Sequence, residues 1–227
     1  YNSLPGNGVG MWDLMCGRTG TYDTHPQYLS AYLRVAMGWV QPKPLPVGGW
    51  VTVTDALSDV YYFANPQNAK EYYLIENRQA RGYDQEIRSS GIAIYRCNED
   101  GDNMYPTVLS DSLKKVFANY GAATSRLNYE VSLEQADGLY SLETAKTNGD
   151  SGDAWKADNP AKTYGGGFNG TSVPCARWAD GTAALDLSHF SPNGRTMSFW
   201  SAAPASVATS SAASRFNLAL DCDDVKF

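Results

Sequence analysis

The chain has 227 residues and carries 24 Asp and Glu against 18 Lys and Arg, which gives a formal net charge of −6. This acidic balance excludes the basic surface that binds phosphate backbones, so nucleic acid is not expected as a partner. Charged residues make up 19% and aromatic residues 12%, a composition typical of a folded globule and not of a disordered or coiled-coil chain. No apolar stretch approaches the roughly 20 residues that cross a bilayer, so we expect no membrane span.

The first predicted element is a helix at about residues 25–38. The chain opens with Tyr1 and a Gly-rich loop, which suggests a piece of a longer protein. Thr24 and Gln27 then have the spacing of a capping box, and Gly38 marks the end of the helix. Between them, apolar residues recur at helical spacing: Leu29, Tyr32, Leu33, Ala36 and Met37.

The Pro-rich stretch 41–46 forbids a helix or a central strand, so we place a boundary there. Beyond it, runs at 51–54, 60–63, 72–76 and 92–95 predict the strands of a meander, and 110–120 has the pattern of a second helix. Further strands are expected at 129–134, 183–187 and 196–200. The resulting division is 1–44, then a β-rich subdomain at 45–200, then an Ala/Ser-rich linker and docking tail at 201–227.

The four cysteines, Cys16, Cys97, Cys175 and Cys222, form no CxxC pair, which excludes zinc-ribbon and thioredoxin-like sites. Two disulfides and four thiols remain alternatives, and the spacing does not give a pairing. The even count, the acidity and the glycosylation sequon at Asn169 favour an oxidising, exported context, so we predict a secreted or cell-surface protein with Asn169 as a glycosylation site.

Metal-binding patterns are limited to two acidic turns. The only histidines, His25 and His189, do not lie in an HExxH sequence, so the chain offers no zinc ligands. Asp100, Asp102 and Asn103 in one turn, and Asp150 and Asp153 in another, supply the hard oxygens that calcium prefers. Solvated turns without an ion are the default interpretation of both, and calcium is the alternative.

The second acidic turn also contains a serine in the run GDSGD at 149–153. This run resembles the nucleophile loop of chymotrypsin-like serine proteases only in part. Asp153 would place negative charge beside a developing oxyanion, which argues against a serine nucleophile here.

Six blocks in order over residues 10–200 resemble the secreted zinc metallopeptidases of the immune-inhibitor-A family. The first are GMWDLMCG at 10–17 with PQYLSAY at 26–32 and MGWV at 37–40, which resemble that family's DLM loop, LSAW helix and GW exit. EYYLIENRQ at 71–79 with GYD at 82–84, and SGIAIY at 90–95, resemble its two central strands. QADGLYSLE at 135–143, GDSGD at 149–153 and GRTMSF at 194–199 complete the series.

The resemblance implies a β-rich α+β fold, in which a Met-turn and helix of a zincin-type lobe precede an antiparallel β subdomain. Asp13 and Met15 would lie in the Met-turn, with Met15 as a hydrophobic floor beneath the catalytic zinc and not as a ligand. From the sequence alone, ordinary core packing of Met15 is an equal explanation.

The catalytic residues of that family are absent from these 227 residues. There is no HExxH helix, and Arg96 stands where the family has a histidine after its second strand. The resemblance therefore implies the C-terminal portion of an exported zinc metalloendopeptidase that is inactive alone. Zinc would be held by a missing N-terminal catalytic half or a companion chain, and polypeptide would be the substrate. The alternative is a non-catalytic, β-rich binding or surface-assembly module derived from a peptidase scaffold, with its Tyr-rich strands as the contact surface.

Overall fold

The computed structural model describes residues 6–16, 26–103, 107–108 and 127–204. Within these residues the protein is β-rich, with one short α-helix, α1 at Ala31–Ala36, and 3₁₀ turns at Gly10–Trp12 and Gly82–Asp84. The strands are β1 Lys43–Pro44, β2 Gly49–Thr54, β3 Tyr61–Ala64, β4 Glu71–Arg78, β5 Gly91–Asn98, β6 Thr107–Val108, β7 Leu127–Asn128, β8 Val131–Leu133, β9 Asp186–Ser188 and β10 Thr196–Ala202. A predominantly β fold was expected from the sequence, and the described residues confirm it.

The larger sheet has five strands in the order β1-β3-β4-β5-β8. The antiparallel run β3-β4-β5 is the meander that the sequence predicts. β4 and β5 pair along their full length, from Glu71 opposite Asn98 to Arg78 opposite Gly91, and every residue of both strands is buried. Strands buried on both faces must be covered on both sides, and this fixes the layered architecture.

Strand β2 departs from the predicted meander, because it pairs with β10 and not with β3. The smaller sheet has the order β2-β10-β9 and is antiparallel throughout. Val51 and Val53 of β2 point into the core, whereas Trp50 and Thr52, which alternate with them, are exposed. This alternation is typical of a sheet with one face packed on the core and the other face exposed to solvent.

The larger sheet lies between α1 with the N-terminal segment on one face and the smaller sheet on the other. Alternate residues of β4 enter different cores, with Leu74 on the α1 side and Ile75 on the side of the smaller sheet. The core on the α1 side includes Val9, Met11, Trp12, Val35, Tyr72, Tyr95, Leu133 and Leu142. The other core includes Val51, Val53, Tyr73, Trp155, Phe168, Trp178, Phe190 and Phe199.

Because Trp12 and Val35 share a core with Leu74 and Tyr95, the predicted boundary near residue 44 does not separate two cores within the described residues. The segment before this boundary forms one layer of the same packed unit as the strands that follow it. The extended connector at 41–46 is itself partly a strand, since β1 pairs in parallel with β3.

The helix is shorter than predicted. It begins at Ala31 and not near residue 25, because Ser30 is the N-cap: its Oγ accepts a hydrogen bond from the Leu33 amide at 3.4 Å. Residues 26–30 are not helical. The Ala36 end agrees with the prediction to within two residues, with Gly38 at φ +71° just beyond it.

Several predictions fall outside the described residues. These are the helix at 110–120, the tail from 205 onward, Thr24 of the predicted capping box, and His25. Ser201 and Ala202, predicted as the start of a linker, are instead the last residues of β10. None of the helices in the described ranges has the length and apolarity to cross a bilayer.

Candidate functional site

The turn that contains Met15 is held in place by a buried carboxylate. Asp13 is 1% exposed, and its Oδ1 accepts a hydrogen bond from the Met15 amide at 2.7 Å. Its Oδ2 accepts one from the Ser30 amide at 2.9 Å, so a single side chain ties this turn to the N-cap of α1. The Asp13 carbonyl also accepts a hydrogen bond from the Gln27 side chain.

The Met15 side chain itself points away from this support. It is 74% exposed, and the neighbouring Leu14 is 42% exposed. Core packing, which the sequence left open as an explanation for Met15, is therefore wrong for this residue. The backbone of the turn is anchored, while two of its apolar side chains are presented to the outside.

Behind the turn lies a buried ionic network centred on Glu76 of β4. Arg34 of α1 and Arg78 of β4 both form ion pairs with Glu76, and Arg78 also contacts Asp84 through two nitrogens at 2.6 and 2.7 Å. The Tyr95 hydroxyl donates to Glu76 at 2.9 Å. The network therefore joins α1, the two longest strands and the 3₁₀ turn at Gly82–Asp84.

Electrostatics in this network favour the ionised form of Glu76. Burial alone would raise the pKa of Glu76, but the guanidinium groups of Arg34 and Arg78 and the hydrogen bond from Tyr95 outweigh it and hold the pKa below 4.5. Burial, together with the Glu76 charge, raises the pKa of Tyr95. Glu76 is thus ionised at neutral pH, and the two arginines balance its charge.

A second polar centre brings three aspartates together. Asp137, Asp150 and Asp153 each offer a carboxylate oxygen, and these oxygens lie within 4.8 Å of one another. Asp137 and Asp153 are 1% exposed, and Asp150 is partly exposed. The indole nitrogen of Trp12 lies 3.5 Å from Asp153 Oδ2 and links this cluster to the Met15 turn.

Two glycines make the close approach of these carboxylates feasible. A Cβ at Gly152 would lie 2.8 Å from Asp137 Oδ2 and 3.0 Å from Asp137 Cβ. At Gly149, which has φ +123°, a Cβ would lie 3.0 Å from Asp153 Oδ2. The GDSGD run is therefore shaped to bring its backbone against carboxylates.

The electrostatic environment of the cluster is unfavourable to three charges. The pKa of Asp153 is raised to about 7, chiefly by burial and also by the carboxylates of Asp150 and Asp137, against hydrogen bonds that lower it. Burial likewise raises the pKa of Asp137. Asp137 Oδ2 and Asp153 Oδ1 are buried and have no hydrogen-bond partner. A cation or a proton is needed to compensate this group.

The other acidic turn is arranged differently. Asp100 forms an ion pair with Lys70, and Asn103 Oδ1 accepts a hydrogen bond from the Val131 amide at 3.2 Å. Among the described residues, the aspartate trio is the only group of three or more His, Cys, Asp or Glu side chains that converges in this way, so Asp100 and Asp102 form no such cluster.

The remaining predicted site residues lie apart from these centres. No disulfide joins Cys16, which is exposed, to the buried Cys97 or Cys175, and Cys222 is outside the described residues. His189 Nδ1 lies 2.9 Å from the Ser188 hydroxyl. Asn169 Oδ1 accepts hydrogen bonds from the amide and hydroxyl of Thr171, within an exposed turn.

Comparison with protein-family models, curated proteins and solved structures gives no match for this chain.

Sequence reasoning identified Asp150 and Asp153 but missed Asp137 as their partner. The signal available was the turn sequence QADG, since Asp followed by Gly is typical of a tight turn. The ionic network was also missed, although Glu76 and Arg78 lie at the end of a strand that contains the apolar run 72–75. A charged residue within a buried strand requires a partner, and that requirement was the usable signal.

Proposed function

We propose that this chain is the C-terminal portion of an exported zinc metalloendopeptidase of the immune-inhibitor-A type, in which it forms the substrate-side wall and the Met-turn of a zincin-type lobe. The observation that carries the proposal is the Met15 turn. Its backbone is fixed by the buried Asp13, yet Met15 and Leu14 are exposed. Anchored apolar side chains of this kind favour a surface that another part of the protein covers.

The contacts among the blocks that carry the resemblance support the same proposal. Asp13 of the first block binds Ser30 of the second, and Trp12 lies beside Asp153 of the GDSGD block. Glu76 Oε1 of the central strand accepts a hydrogen bond from the Ala31 amide at 3.1 Å. These sequence blocks are therefore physically joined by buried polar contacts.

In the proposed assembly, this chain contributes no zinc ligand. A zinc ion held by another stretch of polypeptide would supply the Lewis acidity that activates water for peptide hydrolysis. The Met15 side chain would form an apolar surface beneath that ion. Asp13 would act as a positioning residue, because its hydrogen bonds fix the backbone of the turn.

The first experiment separates the chain from the assembly. We expect the purified 227-residue protein to bind no stoichiometric zinc and to hydrolyse no peptide, as measured by metal analysis and a fluorogenic peptide assay. Stoichiometric zinc in the isolated chain would contradict the proposal. An HExxH sequence in the same gene, upstream of these residues, would support it.

The second experiment tests the surface. Once the chain is co-expressed with an HExxH-containing segment from its gene, Met15→Lys is expected to abolish peptidase activity or association. The control is Trp50→Lys, which places the same charge on the exposed face of the smaller sheet, on the other side of the larger sheet from α1. Equal effects of the two substitutions would contradict a specific role for the Met15 turn.

The alternative, a non-catalytic binding or assembly module, requires a different surface from the one the sequence suggested. The Tyr-rich strands are not that surface, because Tyr62, Tyr72, Tyr73 and Tyr95 are buried. An exposed aromatic residue on the smaller sheet is Trp50, which is 61% exposed and contacts the rings of Trp200 and His189 edge-on. This alternative predicts no upstream HExxH and a loss of partner binding in Trp50→Lys.

A further inference from the structure

We propose that Asp137, Asp150 and Asp153 bind one calcium ion, which joins the turn at Asp137 to the GDSGD run at 149–153. The three aspartates lie within the described residues, and their binding of an ion is independent of the peptidase proposal.

The separation of the three carboxylates fits a single ion. Calcium binds oxygen ligands at about 2.3–2.6 Å, so two ligands of one ion lie at most about 5 Å apart. One oxygen from each of the three aspartates meets this limit, since the oxygens lie within 4.8 Å of one another. The ligands therefore need little movement to share an ion.

The hydrogen bonds around the cluster leave two buried oxygens for an ion. Asp137 Oδ1 accepts from the Leu139 amide at 2.9 Å, and Asp153 Oδ2 accepts from the Asp150 amide at 2.8 Å. The other oxygens, Asp137 Oδ2 and Asp153 Oδ1, are buried and have no hydrogen-bond partner. A buried carboxylate oxygen without a partner is costly, and a cation supplies what is missing.

The local charge also calls for a cation. None of the ion pairs among the described residues includes Asp137, Asp150 or Asp153. Three carboxylates so close together repel one another in a medium of low polarity. Asp150 is only partly buried, which leaves one side of the cluster open to an entering ion and its water ligands.

The ligand chemistry selects the ion. An all-oxygen, carboxylate-rich set suits calcium, magnesium or manganese, and not zinc, which prefers nitrogen and sulfur ligands. Magnesium demands near-ideal octahedral geometry at about 2.0–2.1 Å and keeps most of its water. Two buried carboxylates fixed by backbone hydrogen bonds favour the larger and more tolerant calcium ion.

The direct test is calorimetric titration of CaCl₂ into protein stripped with EDTA. We expect one calcium per chain with a dissociation constant at or below about 1 mM, the range of extracellular calcium modules. At a hundredfold excess over that constant, the melting temperature should rise by roughly 5–10 °C. Magnesium at equal concentration should produce a smaller rise. Absence of binding at several millimolar calcium, or tighter binding of magnesium, would overturn the proposal.

Substitutions locate the site. Asp137→Asn and Asp153→Asn should each abolish the calcium-dependent rise in melting temperature. Asp102→Asn, which removes the same charge from the other acidic turn, should retain it. Because removing one of three like charges relieves repulsion, Asp153→Asn should melt in EDTA at or above the wild-type temperature, which distinguishes loss of a ligand from loss of folding. A calcium-dependent rise in melting temperature that persists in both Asp137→Asn and Asp153→Asn would contradict the proposed site.

Discussion

Glu76 holds a full negative charge at a position that is 2% exposed, between two arginines on different elements. Arg78 has a second anionic partner in Asp84, whereas the other partners of Arg34 are the carbonyl oxygens of Leu29 and Leu57. The balance of charge is therefore asymmetric. Neutralising Glu76 leaves Arg34 as a buried cation without an anion among these contacts.

From this asymmetry we expect Glu76→Gln to be severely destabilising. Breaking a buried ion pair from one side costs about 3–5 kcal/mol, because the remaining charge stays desolvated. Urea denaturation would measure the loss in the free energy of unfolding. Glu86→Gln, an exposed site two residues from Asp84, should change that free energy by less than about 0.5 kcal/mol. A loss below about 1 kcal/mol for Glu76→Gln would show that solvent reaches the network.

The depressed pKa of Glu76 gives a pH dependence with a definite sign. The pKa of Glu76 in the folded state lies below its ordinary value of 4.5. Between this lowered pKa and about pH 4.5, the unfolded chain therefore binds more protons than the folded one. The stabilisation is present above about pH 4.5 and is lost as the pH falls through the lowered pKa. Urea midpoints measured from pH 6 to pH 3 should fall less steeply in Glu76→Gln than in Glu86→Gln. Parallel curves for the two variants would contradict this account.

At the scale of elements, we expect the side chain of Asp13, which joins the Met15 turn to α1, to contribute more to the free energy of unfolding than the N-cap hydrogen bond of Ser30 does. Asp13→Ala leaves the amides of Met15 and Ser30 without their acceptor, and the buried Ser30 donor alone costs about 1–3 kcal/mol when it is unsatisfied. Ser30→Ala removes only the capping bond at 3.4 Å and should cost about 0.5–1 kcal/mol.

We therefore expect Asp13→Ala to lower the free energy of unfolding by more than Ser30→Ala does. Hydrogen exchange at the Met15 amide should also accelerate in Asp13→Ala and not in Ser30→Ala. Equal losses in the two variants would mean that the turn is held by other contacts.

The GDSGD segment can be tested by adding a single methyl group. In Gly152→Ala the new Cβ would meet both Asp137 Oδ2 and Asp137 Cβ at 3.0 Å or less, and Ala161 Cβ at 3.1 Å. Because Asp137 is buried, it cannot swing freely away, so we expect a loss of about 1–3 kcal/mol in the free energy of unfolding. Gly165→Ala is the matched control, since no atom lies within 4 Å of its added Cβ. Equal stability of the two variants would show that the segment is loose.

Local patterns were sufficient for most strands of the larger sheet. Runs of β-branched and aromatic residues between turn signals predicted β3, β4 and β5, and the short turns between them imposed the meander. The start of α1 was misplaced, because Thr24 and Gln27 have the spacing of a capping box, whereas the true N-cap, Ser30, is followed by Leu33 at the third helical position. Tertiary contact decides between two such candidates, since Ser30 also meets Asp13.

For the whole molecule, the information that the sequence lacked is long-range. No local signal shows that β2 pairs with β10, at the other end of the described chain. The same is true of the aspartate cluster. Asp150 and Asp153 lie in one loop and were found together, whereas Asp137 joins them because the Ala136 amide donates to the Asp153 carbonyl at 2.9 Å. Such a contact depends on the assembled fold.

The two cores share the strands of the larger sheet, so they should unfold together. Leu74 and Ile75 are adjacent in β4, are fully buried, and face opposite cores. Leu74→Ala and Ile75→Ala are each expected to cost about 2–5 kcal/mol, and each should shift one common calorimetric transition. Thr52→Ala, on the exposed face of the smaller sheet, should shift it little. Two transitions, one moved by Leu74→Ala and the other by Ile75→Ala, would mean that the layers fold as separate domains despite their common sheet.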